Sequence, residues 1–115
     1  MKVYGIPNCN TVKKAITWLN DNDLAYEFHD FKKKGITEEK LNQWCDLFGW
    51  ETVLNKKGTT WKKLSAEQQS VVVDQASAVA VMLANTSSIK RPVVEVDGKP
   101  VLISFNEEAY VAGLK

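Results

Sequence analysis

The chain is poor in the side chains that most often carry chemistry. It has two cysteines, one histidine and, among 15 basic residues, a single arginine, Arg91. Cys9 and Cys45 lie far apart, and Cys9 has no Cys-x-x-Cys partner because positions 6 and 12 are Ile and Val. One His and two separated Cys do not make the ligand set of a zinc-type centre, so no metal is expected. No apolar run approaches the ~18–20 residues that a membrane-spanning helix needs, so no membrane partner is expected either. The formal net charge is only +1. That gives no basic field for a polyanion, and nucleic acid is not an expected partner. Met1-Lys2-Val3-Tyr4 runs straight into a strand-like stretch without the apolar segment of a signal peptide. The expectation is a cytoplasmic, monomeric protein whose two cysteines stay reduced.

What the chain does have is clear alternation of element types. Val3-Tyr4-Gly5-Ile6 reads as a short strand stopped by Pro7. From Asn10, the spacing of Val12, Ala15, Ile16 and Leu19 predicts a helix ending at Asn20–Asp23. A second strand is predicted over Leu24–Phe31, broken by Lys32-Lys33-Lys34-Gly35. The middle is helical. Thr37 can cap a helix with Leu41, Trp44, Cys45 and Phe48 on its apolar stripe, and Ser65-Ala66-Glu67-Gln68 opens what reads as one long helix through Val72, Ala76, Val79, Ala80 and Leu83. Val93–Val96 and Lys99–Ile103 flank an Asp-Gly hairpin turn, and a closing helix follows from Asn106 to Leu114. A β-α-β unit and a β-β-α unit make an α/β, thioredoxin-like sheet, with helices inserted between the halves at about 36–85. One domain, 1–115, is expected.

Cys9 has two readings. Free cysteines are most often small buried hydrophobes. Its neighbours Asn8, Asn10 and Thr11 are all polar, which suits a buried apolar slot badly. At a helix start, unpaired backbone N–H groups and the macrodipole favour thiolate over thiol, and the same place binds oxyanions. Asn10 is the expected helix cap there, Thr11 offers a hydroxyl, and Lys13 and Lys14 add positive charge. Cys45 sits on an apolar stripe and reads as core. His29, the one histidine, reads as a partly exposed strand residue, and the tryptophans as core and rim. Arg91 stands out because Lys serves every other basic position. Its planar fork suits a task that needs two parallel hydrogen bonds.

Three stretches, IPNCNTVKKA, VLNKKGTTWKKL and SSIKRPVVEVDGKPVLISF, resemble the arsenate reductase (ArsC) family. The likeness is closest to its short, YffB-like branch, with the Spx regulators more distant, and it runs over nearly the whole chain. It implies an oxidoreductase with Cys9 as nucleophile and glutathione as cosubstrate, with no bound cofactor. By the same resemblance Pro7, Thr11 and Lys13 match the loop and helix start around the nucleophile, where Asn10 and Thr11 would help stabilise the sulfur anion. Arg91-Pro92 matches the family's Arg-Pro pair, whose proline is cis; that would bring Arg91 toward the cysteine loop, where it would contact glutathione. Arsenate-reducing members place arginines where Asn55 stands and near Ser104. Their absence points to glutathione mixed disulfides ahead of arsenate. The rival readings are an arsenate reductase and a non-catalytic regulatory module of the Spx kind.

Overall fold

The computed structural model describes residues 1–115. In chain order its elements are β1 (Lys2–Gly5), α1 (Asn10–Asp21), β2 (Glu27–Asp30), α2 (Phe31–Lys34), α3 (Glu38–Phe48), α4 (Trp50–Val53), α5 (Thr59–Lys62), α6 (Ala66–Ser70), α7 (Gln75–Ala84), a 3-10 turn at Thr86–Ser88, β3 (Val93–Val96), β4 (Lys99–Ile103) and α8 (Glu107–Leu114). They pack as two compact units. One joins the two ends of the chain, Met1–Lys34 and Arg91–Lys115, and the other is the intervening Gly35–Lys90. No helix is long and apolar enough to cross a membrane.

The first unit is built on a four-stranded sheet of order β2-β1-β3-β4. β1 and β2 run parallel, with Val3 opposite Phe28, as a β-α-β crossover requires. β3 is antiparallel to β1, with Val94 opposite Val3, and pairs β4 across the Asp97-Gly98 turn. Both turn residues have positive φ, 54° and 78°, which is why an Asp-Gly pair stands there. Val3 and Val94 share a core with Ala15, Trp18 and Leu19 of α1 and Tyr110 of α8. Trp18 meets Tyr110 edge-on, with ring centroids 5.5 Å apart. The Tyr110 hydroxyl donates to the Ser104 carbonyl at 2.6 Å, so burying the ring leaves its polar tip satisfied.

β2 is shorter than the predicted Leu24–Phe31. The reason is Asp30, whose Oδ1 accepts the backbone N–H groups of Lys32 and Lys33 at 3.0 and 3.3 Å. That turns the expected lysine break into the start of α2, and Phe31 goes fully inward. Past α1, Asp23 in the left-handed region (φ 56°) closes the helix, and Leu24 N–H returns to the Leu19 carbonyl at 3.0 Å.

In the second unit, Thr37 caps α3 by accepting from Lys40 N–H at 3.1 Å, and Leu41, Trp44 and Cys45 are buried. The predicted long helix is two helices. Ser65 and Gln68 do form a capping box, but α6 ends at Ser70. Asp74 and Ser77 form a second capping box that opens α7. Between them lie three β-branched valines, which lose side-chain freedom in a helix, and an aspartate whose carboxylate competes for backbone donors. Val72 is buried while Val71 and Val73 are exposed. Ala76 and Ala80, expected on the apolar stripe, face outward, and Ala78, Val79 and Met82 face in. Trp50 and Trp61 hold the Lys56 ammonium between their rings, 5.2 and 5.6 Å from the centroids.

Candidate active site

The loop that follows β1 carries Cys9 to the start of α1, and a close approach fixes that start. A Cβ on Gly5 would lie 2.9 Å from the Val12 Cγ2, closer than carbon atoms tolerate, and Val12 is fully buried. Glycine at the end of β1 is what lets the first turn of α1 pack down. Cys9 itself, in extended backbone conformation, is the N-cap residue, and its carbonyl accepts the first helical bond from Lys13 N–H at 2.9 Å. Asn10, the expected cap, is instead the first residue inside the helix and is exposed. The cap position chooses the residue whose carbonyl closes the first turn, and that residue is the cysteine.

No oxygen side chain caps α1, in contrast to α3, α6, α7 and α8, where Thr37, Ser65, Asp74 and Asn106 do so. The Cys9 sulfur stands in that place. Partial burial pushes its thiol up, but the Val12 N–H, the Arg91 side chain through its hydrogen bond and its charge, and the Thr11 N–H together outweigh burial. The net result is a thiol held below its ordinary range. These amides point their donors at the anion.

Arg91 enters from just before β3, and its Nε is enclosed by protein. The Arg91–Pro92 peptide is cis. Pro92 is buried, and its carbonyl accepts the Ser104 N–H at 2.7 Å. Cys9 and Arg91, distant in sequence, meet: the Arg91 side chain hydrogen-bonds the sulfur. Thr11 is half-buried beside them, and Lys13 is exposed one turn into α1. Asn55 follows α4 in the second unit, where its Oδ1 accepts Lys57 N–H at 3.2 Å. Ser104, at φ 64°, follows β4.

The other candidates have separate surroundings. Cys45 is 2% exposed, and burial, helped by the charge of Asp46, pushes its thiol up to about 11. His29 lies beside Tyr4, with ring centroids 4.8 Å apart. The Tyr4 phenol is pushed up to about 12 by burial, then by the charge of buried Glu95 and a hydrogen bond to it, and by Glu27. No three of the His, Cys, Asp and Glu side chains gather as a metal site would require. Sequence reasoning passed over two features: the direct bond from Arg91 to the sulfur, and a groove along α1 lined by Thr17, Trp18 and Phe105. The groove had a faint signal in the stripe 10, 13, 14, 17, 21, which read only as a polar helix face.

The family model described as the ArsC family matches residues 4–112. The chain belongs to the ArsC family. The structure of a protein named YFFB is 48% identical, covers 99% of this chain and 98% of its own, and superposes with a TM-score of 0.93. The solution structure of an arsenate reductase (ArsC) related protein from Brucella melitensis is 46% identical over 99% of this chain and 93% of its own, with a TM-score of 0.76. A global transcriptional regulator Spx of Streptococcus agalactiae is 26% identical over 89% of this chain and 74% of its own length. The mixed sheet and its helices are those of the family's thioredoxin-like fold, so the expected fold class and family are both correct.

Proposed function

We propose that this ArsC-family protein is a glutathione-dependent thiol oxidoreductase that works through Cys9. The observation that supports it is the pairing of a helix-capping cysteine with the one arginine of the chain, which together hold the sulfur toward thiolate. A thiolate is the nucleophile of disulfide exchange, and its reactivity is highest when its pKa lies near the ambient pH.

In the proposed cycle, the Cys9 thiolate attacks the glutathione sulfur of a mixed disulfide. The Cys9–glutathione disulfide forms, the substrate's own S–S bond breaks, and the substrate leaves as a thiolate that takes a proton from water. A second glutathione, as thiolate, then attacks the Cys9-bound glutathione sulfur. Oxidised glutathione is released and the Cys9 thiolate returns. The amides of Thr11 and Val12 steady the sulfur anion at both ends of the cycle. The Arg91 guanidinium has five donors, so it can hold the resting sulfur and also fork a carboxylate of glutathione. Asn10 and Lys13 lie next to the sulfur along the helix and add polar and cationic contacts for the tripeptide. No bound metal or cofactor takes part.

Arsenate reduction by the same thiolate is the weaker reading, since Asn55 and Ser104 offer no guanidinium to a multiply charged oxyanion. The decisive experiment is mass spectrometry of the protein incubated with oxidised glutathione, joined to turnover with a small glutathione mixed disulfide. A single glutathione on Cys9 and saturable turnover are expected. No adduct and no turnover would leave the regulatory, non-catalytic reading in its place.

A further inference from the structure

The groove along α1 begins where the nucleophile ends. Asn10, the residue after Cys9, lines one end and Asp21 the other, and the groove has a volume of about 540 Å³. Positions 10, 13, 14, 17 and 21 recur at helical spacing and form one stripe down the helix, while Val12, Ala15 and Leu19 face the core and Trp18, itself packed in the core, shows the groove only its exposed 9%. Phe105, from the segment after β4, forms the opposite wall. At about 1.5 Å per residue, the twelve residues of α1 give the stripe a length of roughly 18 Å. An extended polypeptide rises about 3.3 Å per residue, so roughly five residues fit along it. The chemistry of the groove is graded. Lys13 and Lys14 stand at the end near Cys9, the indole of Trp18 and the ring of Phe105 lie further along, and Asp21 closes the far end.

We propose that this groove seats the polypeptide half of the disulfide substrate: the protein is built to release glutathione from peptide or protein cysteines. The inference rests on the thiol oxidoreductase reading above and adds the substrate class. A mixed disulfide has two halves joined through a single S–S bond. When Arg91 and the α1 amides hold the glutathione half at the sulfur, the leaving half must continue from the same point, and the near end of the groove is lined by Asn10, the residue next to Cys9. A small thiol would fill only its first turn. Its charges favour an acidic residue close to the modified cysteine, against Lys13 and Lys14, then an apolar or aromatic residue against Trp18 and Phe105, then a basic residue toward Asp21.

The test uses three glutathionylated substrates: cysteine itself, a short peptide with the acidic–apolar–basic order, and the same peptide with its charges reversed. Turnover is measured with wild type, Asp21→Lys and Thr17→Trp, the last placing a bulky ring in the groove. Wild type is expected to favour the acidic–apolar–basic peptide over glutathionylated cysteine by about tenfold in kcat/KM. Both variants are expected to erase that preference while turning over glutathionylated cysteine within about twofold of wild type. Asp21→Lys should also shift preference toward the charge-reversed peptide. Equal kcat/KM for all three substrates in wild type overturns the groove assignment and leaves the oxidoreductase reading standing, as does an equal loss on peptide and cysteine substrates in the variants. Absence of turnover on glutathionylated cysteine by wild type overturns the oxidoreductase reading itself. Concentration-dependent dimerisation that Thr17→Trp abolishes, with no peptide preference, would assign the groove to a second copy of the chain instead.

Discussion

The Arg91 side chain hydrogen-bonds the Cys9 sulfur and lowers its pKa through its charge as well. The contact joins the helix start after β1 to the segment before β3, and it makes the lone arginine part of the nucleophile rather than a distant binding group.

The first prediction follows from the direction of that shift. Alkylation of Cys9 by iodoacetamide should rise with pH with a midpoint below that of an ordinary thiol. Arg91→Ala removes two of the lowering influences and should move the midpoint upward. A depressed folded pKa stabilises the fold fully above the unfolded value, and that contribution is lost as pH falls through the folded one. Cys45 carries the opposite sign. Its contribution is present below the ordinary thiol pKa and fades as pH rises through about 11. Peptide mapping of the labelled protein is the check, and Cys45 labelling as fast as Cys9 in the folded state contradicts it.

The second prediction separates Arg91 from its neighbour. Arg91→Lys keeps the charge and loses the fork, and should cost about 1–2 kcal/mol of transition-state stabilisation, roughly a five- to thirty-fold loss in kcat/KM for glutathione. Arg91→Ala should cost more. Lys90→Ala should cost little, because the structural contact of Lys90 is its backbone N–H, which donates to the Val53 carbonyl at 2.7 Å. Equal losses at 90 and 91 would reduce the arginine to a general surface charge.

The third prediction concerns how the cysteine is placed. Gly5→Ala should destabilise the protein by about 1–3 kcal/mol, the usual effect of overpacking, and slow Cys9 alkylation as the first turn of α1 is pushed out. Val12→Ala alone should also destabilise, by leaving a cavity. In the double variant the new methyl occupies the space that Val12 vacates, so the two effects should sum to less than additive. Strict additivity in urea unfolding would mean that the approach of Gly5 to Val12 is not what sets the helix start.

The fourth prediction is that arsenate-dependent oxidation of glutathione does not saturate and stays well below the ~1 s⁻¹ of an ordinary enzyme. Asn55 and Ser104 supply no guanidinium. Turnover near that rate in a coupled glutathione assay would show the missing arginines to be dispensable.

Element order and sheet could be read from the sequence because periodicity changes cleanly from strand to helix at Asn10 and back again at Val93. Boundaries were harder wherever one side chain captures backbone donors. Asp30 starts a helix inside a predicted break, and Asp74 restarts one inside a predicted continuous helix. Neither event alters the apolar pattern, so periodicity is blind to both. Cys9 and Arg91 were conspicuous by scarcity and motif. Their approach was implied only by the family's cis Arg-Pro pair, since no local pattern encodes the meeting of two loops from opposite ends of a chain. The groove was hidden for a related reason: Phe105, its far wall, is remote in sequence from the helix stripe it faces.

The two-ended composition of the first unit also bears on how the protein is made. During synthesis β1, α1 and β2 leave the ribosome first, and β3, which pairs with β1, follows only after all of Gly35–Lys90. Until then the nascent chain holds Cys9 without Arg91, with β1 lacking its antiparallel partner. The thiol therefore acquires the acidity that Arg91 lends it only when Arg91–Lys115 closes the sheet.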